Sequence, residues 1–149
     1  DIALAVDADG VHLGDDDLPV AVARAQLGED AIIGRSVSTV EAAEAADRAG
    51  ADYLGVGAIY TTGSKDVDDD ENGIGVDVVT EIADAVEIPL VGSGGVTPER
   101  TPDVIEAGAD GVAVITAITQ AADPERATRK LGEAVERGRR RGGELEGET

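Results

Sequence analysis

Short apolar runs alternate along this chain with segments in which apolar residues recur at helical spacing. The runs predict five strands, at residues 10–14, 31–34, 53–58, 89–92 and 112–115. The segments between and after them predict helices at 18–27, 40–49, 76–86, 98–107, 116–121 and 124–137. Strands that alternate with helices indicate a parallel sheet with right-handed crossovers. The apolar character of whole strands indicates burial on both faces of that sheet.

Side chains at the predicted helix starts support these boundaries. Asp17, Thr39 and Thr97 each stand where an N-cap is expected, and Gly50 follows the second of these helices. Residues 138–149 consist of glycine, arginine and glutamate with single leucine and threonine residues, and we expect this tail to be disordered. The ordered domain is therefore predicted to span residues 1–137.

Two α/β architectures fit this order, an open doubly wound sheet and a (β/α)8 barrel. Polar and glycine residues recur at the carboxyl ends of the strands, which favours the barrel. Gly94-Gly95 and Ile115-Thr116 follow two late strands, where many such barrels bind phosphate. An early G-x-G-x-x-G motif, expected of a dinucleotide-binding sheet, is missing. A full barrel nevertheless needs eight strands, and the pattern predicts five.

The richest candidate site begins at Tyr60, where the third strand gives way to a polar loop. Thr62 and Ser64 can donate hydrogen bonds to an anion, and Lys65 adds a compact positive charge. A pyrophosphate-like ligand suits this group. The alternative is a solvated loop with no ligand, and the position at the end of a strand favours the site.

Other candidates are less specific. Residues 15–17 are all aspartate, and their carboxylates either hold Mg²⁺ or form a solvated acidic turn. The acidic run at 66–71 is predicted to be a solvated loop without a site role. Gly94-Gly95 can present N–H groups to a phosphate or simply form a tight turn. His12, the only histidine, is expected to pack or to form supporting hydrogen bonds.

The composition of the chain limits the kinds of partner that it is expected to bind. The chain has 32 acidic and 12 basic residues, a formal net charge of -20 and no cysteine. Such a charge repels nucleic acid and anionic membranes, so neither is an expected partner. No apolar run approaches the roughly 20 residues that span a bilayer, and no leader is recognised, so we expect a cytoplasmic protein. The acidic surface over small aliphatic residues indicates a salt-rich cytoplasm.

Several of these segments, in this order, resemble the thiamine-phosphate synthase family. They are residues 8–14 with Asp17, 33–36, 50–57, 62–65, 94–96 and 108–118. The family is a (β/α)8 barrel that couples hydroxymethylpyrimidine pyrophosphate to thiazole phosphate and releases pyrophosphate with the help of Mg²⁺. The resemblance implies that Asp17 is a Mg²⁺ ligand and that Lys65 is catalytic.

The resemblance also implies the remaining contacts. Pyrophosphate would be held by Ser36, Thr62, Ser64 and Lys65. Thiazole phosphate would be held by Gly95, Ile115 and Thr116, largely through backbone N–H groups.

The extent of the resemblance carries its own expectation. Residue 1 aligns after the family's third strand–helix unit, so residues 1–137 would be strands 4–8 of an incomplete barrel. We expect such a chain to be a poor catalyst alone. Two other functions remain open, a thiazole tautomerase of the same superfamily and a non-catalytic phosphate-binding part of a split barrel.

Overall fold

A computed structural model describes residues 1–60 and 73–146 of the 149-residue chain. Its five strands are β1 (Gly10–Leu13), β2 (Ile32–Val37), β3 (Tyr53–Val56), β4 (Leu90–Ser93) and β5 (Gly111–Ala113). Its helices are α1 (Ile2–Ala5), α2 (Val20–Leu27), α3 (Val40–Arg48), α4 (Gly75–Ala85), α5 (Thr101–Glu106), α6 (Thr116–Thr119) and α7 (Pro124–Glu146). Within these described ranges, no helix is long and apolar enough to cross a membrane.

The strands form one sheet in the order β1-β2-β3-β4-β5, and each neighbouring pair is parallel. This confirms the predicted parallel sheet, with strand limits that differ from the prediction by at most three residues, the largest difference being at the end of β2. The parallel pairing follows from the helical crossovers, because each crossover returns the chain to the amino ends of the strands before the next strand starts.

Side chains alternate between two faces of this sheet, as strand geometry requires. One face of the sheet packs against the helices. Its buried strand side chains form a core together with residues from α4, α5 and the loop after β3. The largest fully buried hydrophobic side chains of this core are Ile33, Leu54, Val56, Ile59, Val79, Ile82 and Val104. The opposite face carries polar side chains from β1, β2 and β3, which are described with the candidate site.

Asp52 and Asp110 occupy equivalent positions just before two strands. The Asp52 carboxylate accepts a hydrogen bond from Ile33 N at 2.7 Å, and Asp52 N donates to Ile33 O at 2.7 Å. The same pair of bonds joins Asp110 to Leu90, at 2.9 and 2.8 Å. Each aspartate therefore fixes the register between its own strand and the preceding one. Both lie at the amino ends of the strands, away from the carboxyl ends.

Arg24 reinforces the first of these contacts. Its guanidinium lies 2.7 Å from the Asp52 carboxylate and donates to Gly50 O at 2.9 Å. The hydrogen bond from Ile33 N, together with the Arg24 guanidinium, lowers the pKa of Asp52 below its usual value.

Two predicted helix starts are wrong and one is confirmed. Thr39 caps α3, and its hydroxyl accepts from Ala42 N at 3.2 Å. Asp17 does not cap α2, because Pro19 is the N-cap residue and the Asp17 carboxylate instead accepts from Gly14 N at 2.7 Å. Thr97 closes a separate turn through a 3.3 Å bond from Arg100 N, and α5 begins only at residue 101.

The predicted disorder of residues 138–149 is wrong for 138–146, because α7 continues to Glu146. Tertiary contacts explain this continuation. Gly138 is buried against α5, and Arg139 donates to Asp110 O at 3.2 Å. Arg141 lies 3.3 Å from the Asp103 carboxylate of α5. Residues 147–149 lie outside the described part of the chain.

Candidate functional site

Most of the predicted site residues lie toward the carboxyl ends of the strands, which meet at one edge of a parallel sheet. Asp17 follows β1, Ser36 belongs to β2, Gly95 follows β4, and Ile115 and Thr116 follow β5. We call this edge the carboxyl rim. Thr62, Ser64 and Lys65, like the acidic run at 66–71, lie outside the described residues. The structure therefore places five of the eight predicted site residues on one rim.

Ser36 is held by a hydrogen-bonded chain that crosses three strands. Its Oγ lies 2.8 Å from His12 Nε2 on β1, and His12 Nδ1 lies 2.9 Å from the Tyr53 hydroxyl on β3. This confirms the supporting hydrogen-bond role predicted for His12. Tyr53 was not predicted as its partner.

Two glycines make room for this chain of side chains. A Cβ at Gly34 would overlap the Tyr53 ring, and one at Gly55 would lie 3.0 Å from His12 Cε1. The register places Gly34 between His12 and Tyr53, and pairs Gly55 with Ser36. The His12 and Tyr53 rings can then approach with centroids 5.5 Å apart, in a tilted arrangement.

The three aspartates after β1 have different surroundings. Asp15 pairs with Arg35 at 3.1 Å, and Arg35 also donates to Gly14 O. Asp15 is largely exposed, so this ion pair contributes little to stability. The Asp17 carboxylate is oriented at the rim by the Gly14 N–H.

Asp17 could serve as one ligand to a divalent cation. A carboxylate has about four acceptor positions, and the bond from Gly14 N uses one of them. Residues 1–60 and 73–146 contain no group of three or more His, Cys, Asp or Glu side chains that could hold a metal by itself. This donor set fits Mg²⁺, which commonly takes one or two carboxylates and completes its shell with water and ligand phosphates.

The Gly94-Gly95 turn after β4 is tightly built. Both residues have positive φ, +88° and +62°, a conformation that glycine adopts without strain. A Cβ at Gly94 would lie 2.6 Å from Ala58 Cα, so the chain after β3 requires glycine there. Gly94 O accepts a hydrogen bond from Tyr60 N at 3.0 Å.

Arg100 supports this turn and was missed by the sequence reasoning. Its guanidinium donates to Gly95 O at 3.1 Å and lies 4.4 Å from the centroid of the Tyr60 ring. No local motif marks Arg100, because both contacts depend on the fold. A cation at this point favours an anion bound near Gly95.

Comparison with known proteins decides the family. The family model described as thiamine monophosphate synthase matches residues 1–118. The chain belongs to the thiamine monophosphate synthase family. A thiamine-phosphate synthase from Natronomonas pharaonis is 65% identical over 136 residues, which are 91% of this chain and 64% of that protein. One from Haloarcula marismortui is 64% identical over 140 residues, covering 93% of this chain and 66% of that protein.

A solved structure of this family has the same fold. Thiamine phosphate pyrophosphorylase from Pyrococcus furiosus superposes with a TM-score of 0.80 at 41% identity, covering 92% of this chain and 64% of that one. The chain thus spans a little under two thirds of the length of these relatives. The resemblance stated from the sequence is confirmed at the level of the family, and the ligands of individual residues stay predictions.

Proposed function

We propose that this chain forms part of a thiamine-phosphate synthase, which joins hydroxymethylpyrimidine pyrophosphate to thiazole phosphate and releases pyrophosphate. The observation that supports it best is the position of Asp17, Ser36, Gly95 and Thr116 on one carboxyl rim in a member of this family. Both substrates carry phosphate, and these residues supply a metal ligand, a hydroxyl donor and backbone N–H groups.

We also propose that β1 to β5 correspond to the last five strands of a (β/α)8 barrel. Support comes from the strictly sequential parallel order and from the pair of outer strands, β1 and β5, which have one neighbour each among the described strands. An unpaired strand edge exposes backbone donors and acceptors. Further strands that join β1 to β5 would satisfy these groups and close the barrel.

Each rim residue has a role in this proposal. Ser36 would donate its hydroxyl to the pyrophosphate, together with Thr62, Ser64 and Lys65. The turn at Gly95 and the start of α6 would bind the phosphate of the thiazole. Since leaving pyrophosphate accumulates negative charge, a lysine fixed beside it lowers the barrier to its departure.

Asp17 would hold Mg²⁺ in this site. When bound, the ion would neutralise charge on the pyrophosphate. Asp17 would be kept in position for this by its hydrogen bond from Gly14 N. The coupling needs no nucleophile from the protein, because the thiazole nitrogen attacks the pyrimidine methylene carbon.

We also propose that the protein functions in a salt-rich cytoplasm. Its net charge of -20 and its relatives from salt-adapted archaea such as Haloarcula marismortui support this. Concentrated salt screens repulsion between surface carboxylates and preserves solubility. The cytoplasmic location stays a prediction.

The test is formation of thiamine phosphate by the protein at its natural length, with both substrates and Mg²⁺ in concentrated KCl. Ser36→Ala should lower kcat/KM by about 10- to 100-fold, the range expected when a hydrogen bond to a charged ligand is lost. Thr128→Ala, which removes an exposed hydroxyl from α7, is the matched control and should behave like the wild type. A folded protein that makes no product would contradict the proposal and favour the tautomerase or a non-catalytic binder.

A further inference from the structure

In the hydrogen-bonded chain Tyr53–His12–Ser36, the donor and acceptor of each bond can be inferred from the chemistry of the three side chains. A neutral imidazole has one N–H donor and one acceptor nitrogen. His12 Nδ1 faces the Tyr53 hydroxyl at 2.9 Å, and Nε2 faces Ser36 Oγ at 2.8 Å. Both hydroxyls can donate, but the ring can accept only one of them. The hydroxyl that donates to the ring therefore sets the tautomer and the direction of the whole chain.

We propose that Tyr53 donates to His12 Nδ1 and so fixes the Nε2–H tautomer, which makes His12 a positioning residue that aims the Ser36 hydroxyl at the bound pyrophosphate. This inference rests on the proposed function for its ligand. A phenol is a much stronger acid than an alkyl alcohol and is the better donor, so it takes the acceptor nitrogen. Nε2–H then donates to Ser36 Oγ.

The consequence for Ser36 follows from counting its hydrogens. A serine hydroxyl has a single hydrogen and can accept through its lone pairs. When Oγ accepts from His12, that hydrogen stays free to point at an anionic oxygen. In the opposite direction Ser36 would give its hydrogen to Nε2, and its lone pairs would face the anion. The tautomer of His12 therefore decides whether Ser36 attracts or repels the ligand.

The residues around His12 favour a fixed direction of the hydrogen bonds from Tyr53 to Ser36. Gly34 and Gly55 leave the space in which the two rings approach, since a Cβ at either position would crowd Tyr53 or His12. The three partners come from three neighbouring strands, whose parallel register holds them fixed relative to each other. Ser36 thus needs no reorientation when a ligand arrives, which lowers the entropic cost of binding.

The first test is the tautomer itself, read from the ring ¹⁵N shifts of His12 at a pH at which the imidazole is neutral. His12 is the only histidine of these 149 residues, and its loss in His12→Gln assigns the signals. A protonated Nε2 and an unprotonated Nδ1 are expected in the wild type. A protonated Nδ1 overturns the proposal. In Tyr53→Phe, which removes only the hydroxyl, the two tautomers should become mixed.

The second test uses Mg²⁺-pyrophosphate as the probe in binding titrations on the protein at its natural length. His12→Leu should weaken binding about 3- to 10-fold, and His12→Gln, whose amide can still donate to Ser36, should recover part of the loss. In a Ser36→Ala background, His12→Leu should have no further effect. Equal losses in both backgrounds would show that His12 does not act through Ser36 and would overturn the proposal.

The synthase function and the positioning role of His12 can be refuted separately. A wild-type protein that forms no thiamine phosphate but shows the Nε2–H tautomer refutes the proposed function, while the direction of the chain stands. Product formation by a protein with the Nδ1–H tautomer refutes the positioning role of His12 and leaves the synthase intact.

Discussion

Gly138 offers a sharp test of how α7 packs, through the substitution Gly138→Ala. A Cβ at this position would lie 2.6 Å from Ile105 Cβ and 2.8 Å from Pro102 O, closer than real atoms approach. Overpacking of this kind costs about 1–3 kcal/mol. Alanine in a helix interior gains about 0.5–1 kcal/mol over glycine. The net expectation is a loss of about 0–2.5 kcal/mol in the free energy of unfolding.

Gly132→Ala is the matched control on the same helix. No atom lies within 4 Å of a Cβ built there, so only the propensity gain applies. Thermal unfolding in concentrated KCl should show a higher Tm for Gly132→Ala and a lower Tm for Gly138→Ala, each by a few degrees for a chain of this size. If both variants were stabilised alike, α7 would not pack against α5 at Gly138, and the reasoning would be refuted.

Three further predictions concern the sheet and its rim. The folded-state pKa of Asp52 is lowered, so the contribution of its carboxylate to stability is present above the unfolded pKa of about 3.9 and is lost as pH falls through the folded value. In urea titrations below about pH 4, the free energy of unfolding should therefore fall less steeply with pH for Asp52→Asn than for the wild type. Parallel curves would contradict this. Gly94→Ala should destabilise the fold more than Gly28→Ala, because the two glycines share a φ near +90° but only Gly94 has neighbours in the way; equal Tm losses would mean that strain alone acts. Arg100→Ala should weaken binding of inorganic phosphate several-fold by removing the cation and the bond to Gly95 O, and unchanged affinity in calorimetric titrations would place the phosphate elsewhere.

Much of the sheet could be predicted because its signals are local. Apolar runs separated by helical segments are sufficient for five parallel strands, and Thr39 marks the start of α3 by a contact only three residues away. The same local signal gave a wrong N-cap for α2. Pro19 occupies the cap position, and the Asp17 carboxylate instead accepts a hydrogen bond from Gly14 N. A local rule cannot show which of two nearby N–H groups a carboxylate prefers.

The wrong end predicted for the last helix and the missed partner of His12 have a common cause. Residues 138–146 look disordered in isolation, but the helix is extended by packing of Gly138 on α5 and by the bond from Arg139 to Asp110 O. The pairing of His12 with Tyr53 spans 41 positions in the sequence. Contacts of this kind depend on strand register, which a single sequence does not reveal. Topology alone, by contrast, was sufficient to place Asp17, Ser36 and Gly95 at one rim.

The most direct test of the synthase account is the rate of thiamine phosphate formation by the protein at its natural length, compared between Lys65→Ala and Lys130→Ala. These are the only two lysines of the 149 residues, and Lys130 lies on α7, outside the predicted site. The account predicts product from the wild type, a loss of about 10²- to 10³-fold in kcat for Lys65→Ala, and wild-type kinetics for Lys130→Ala. Absence of product from the folded wild type, or equal rates in the two variants, would contradict it.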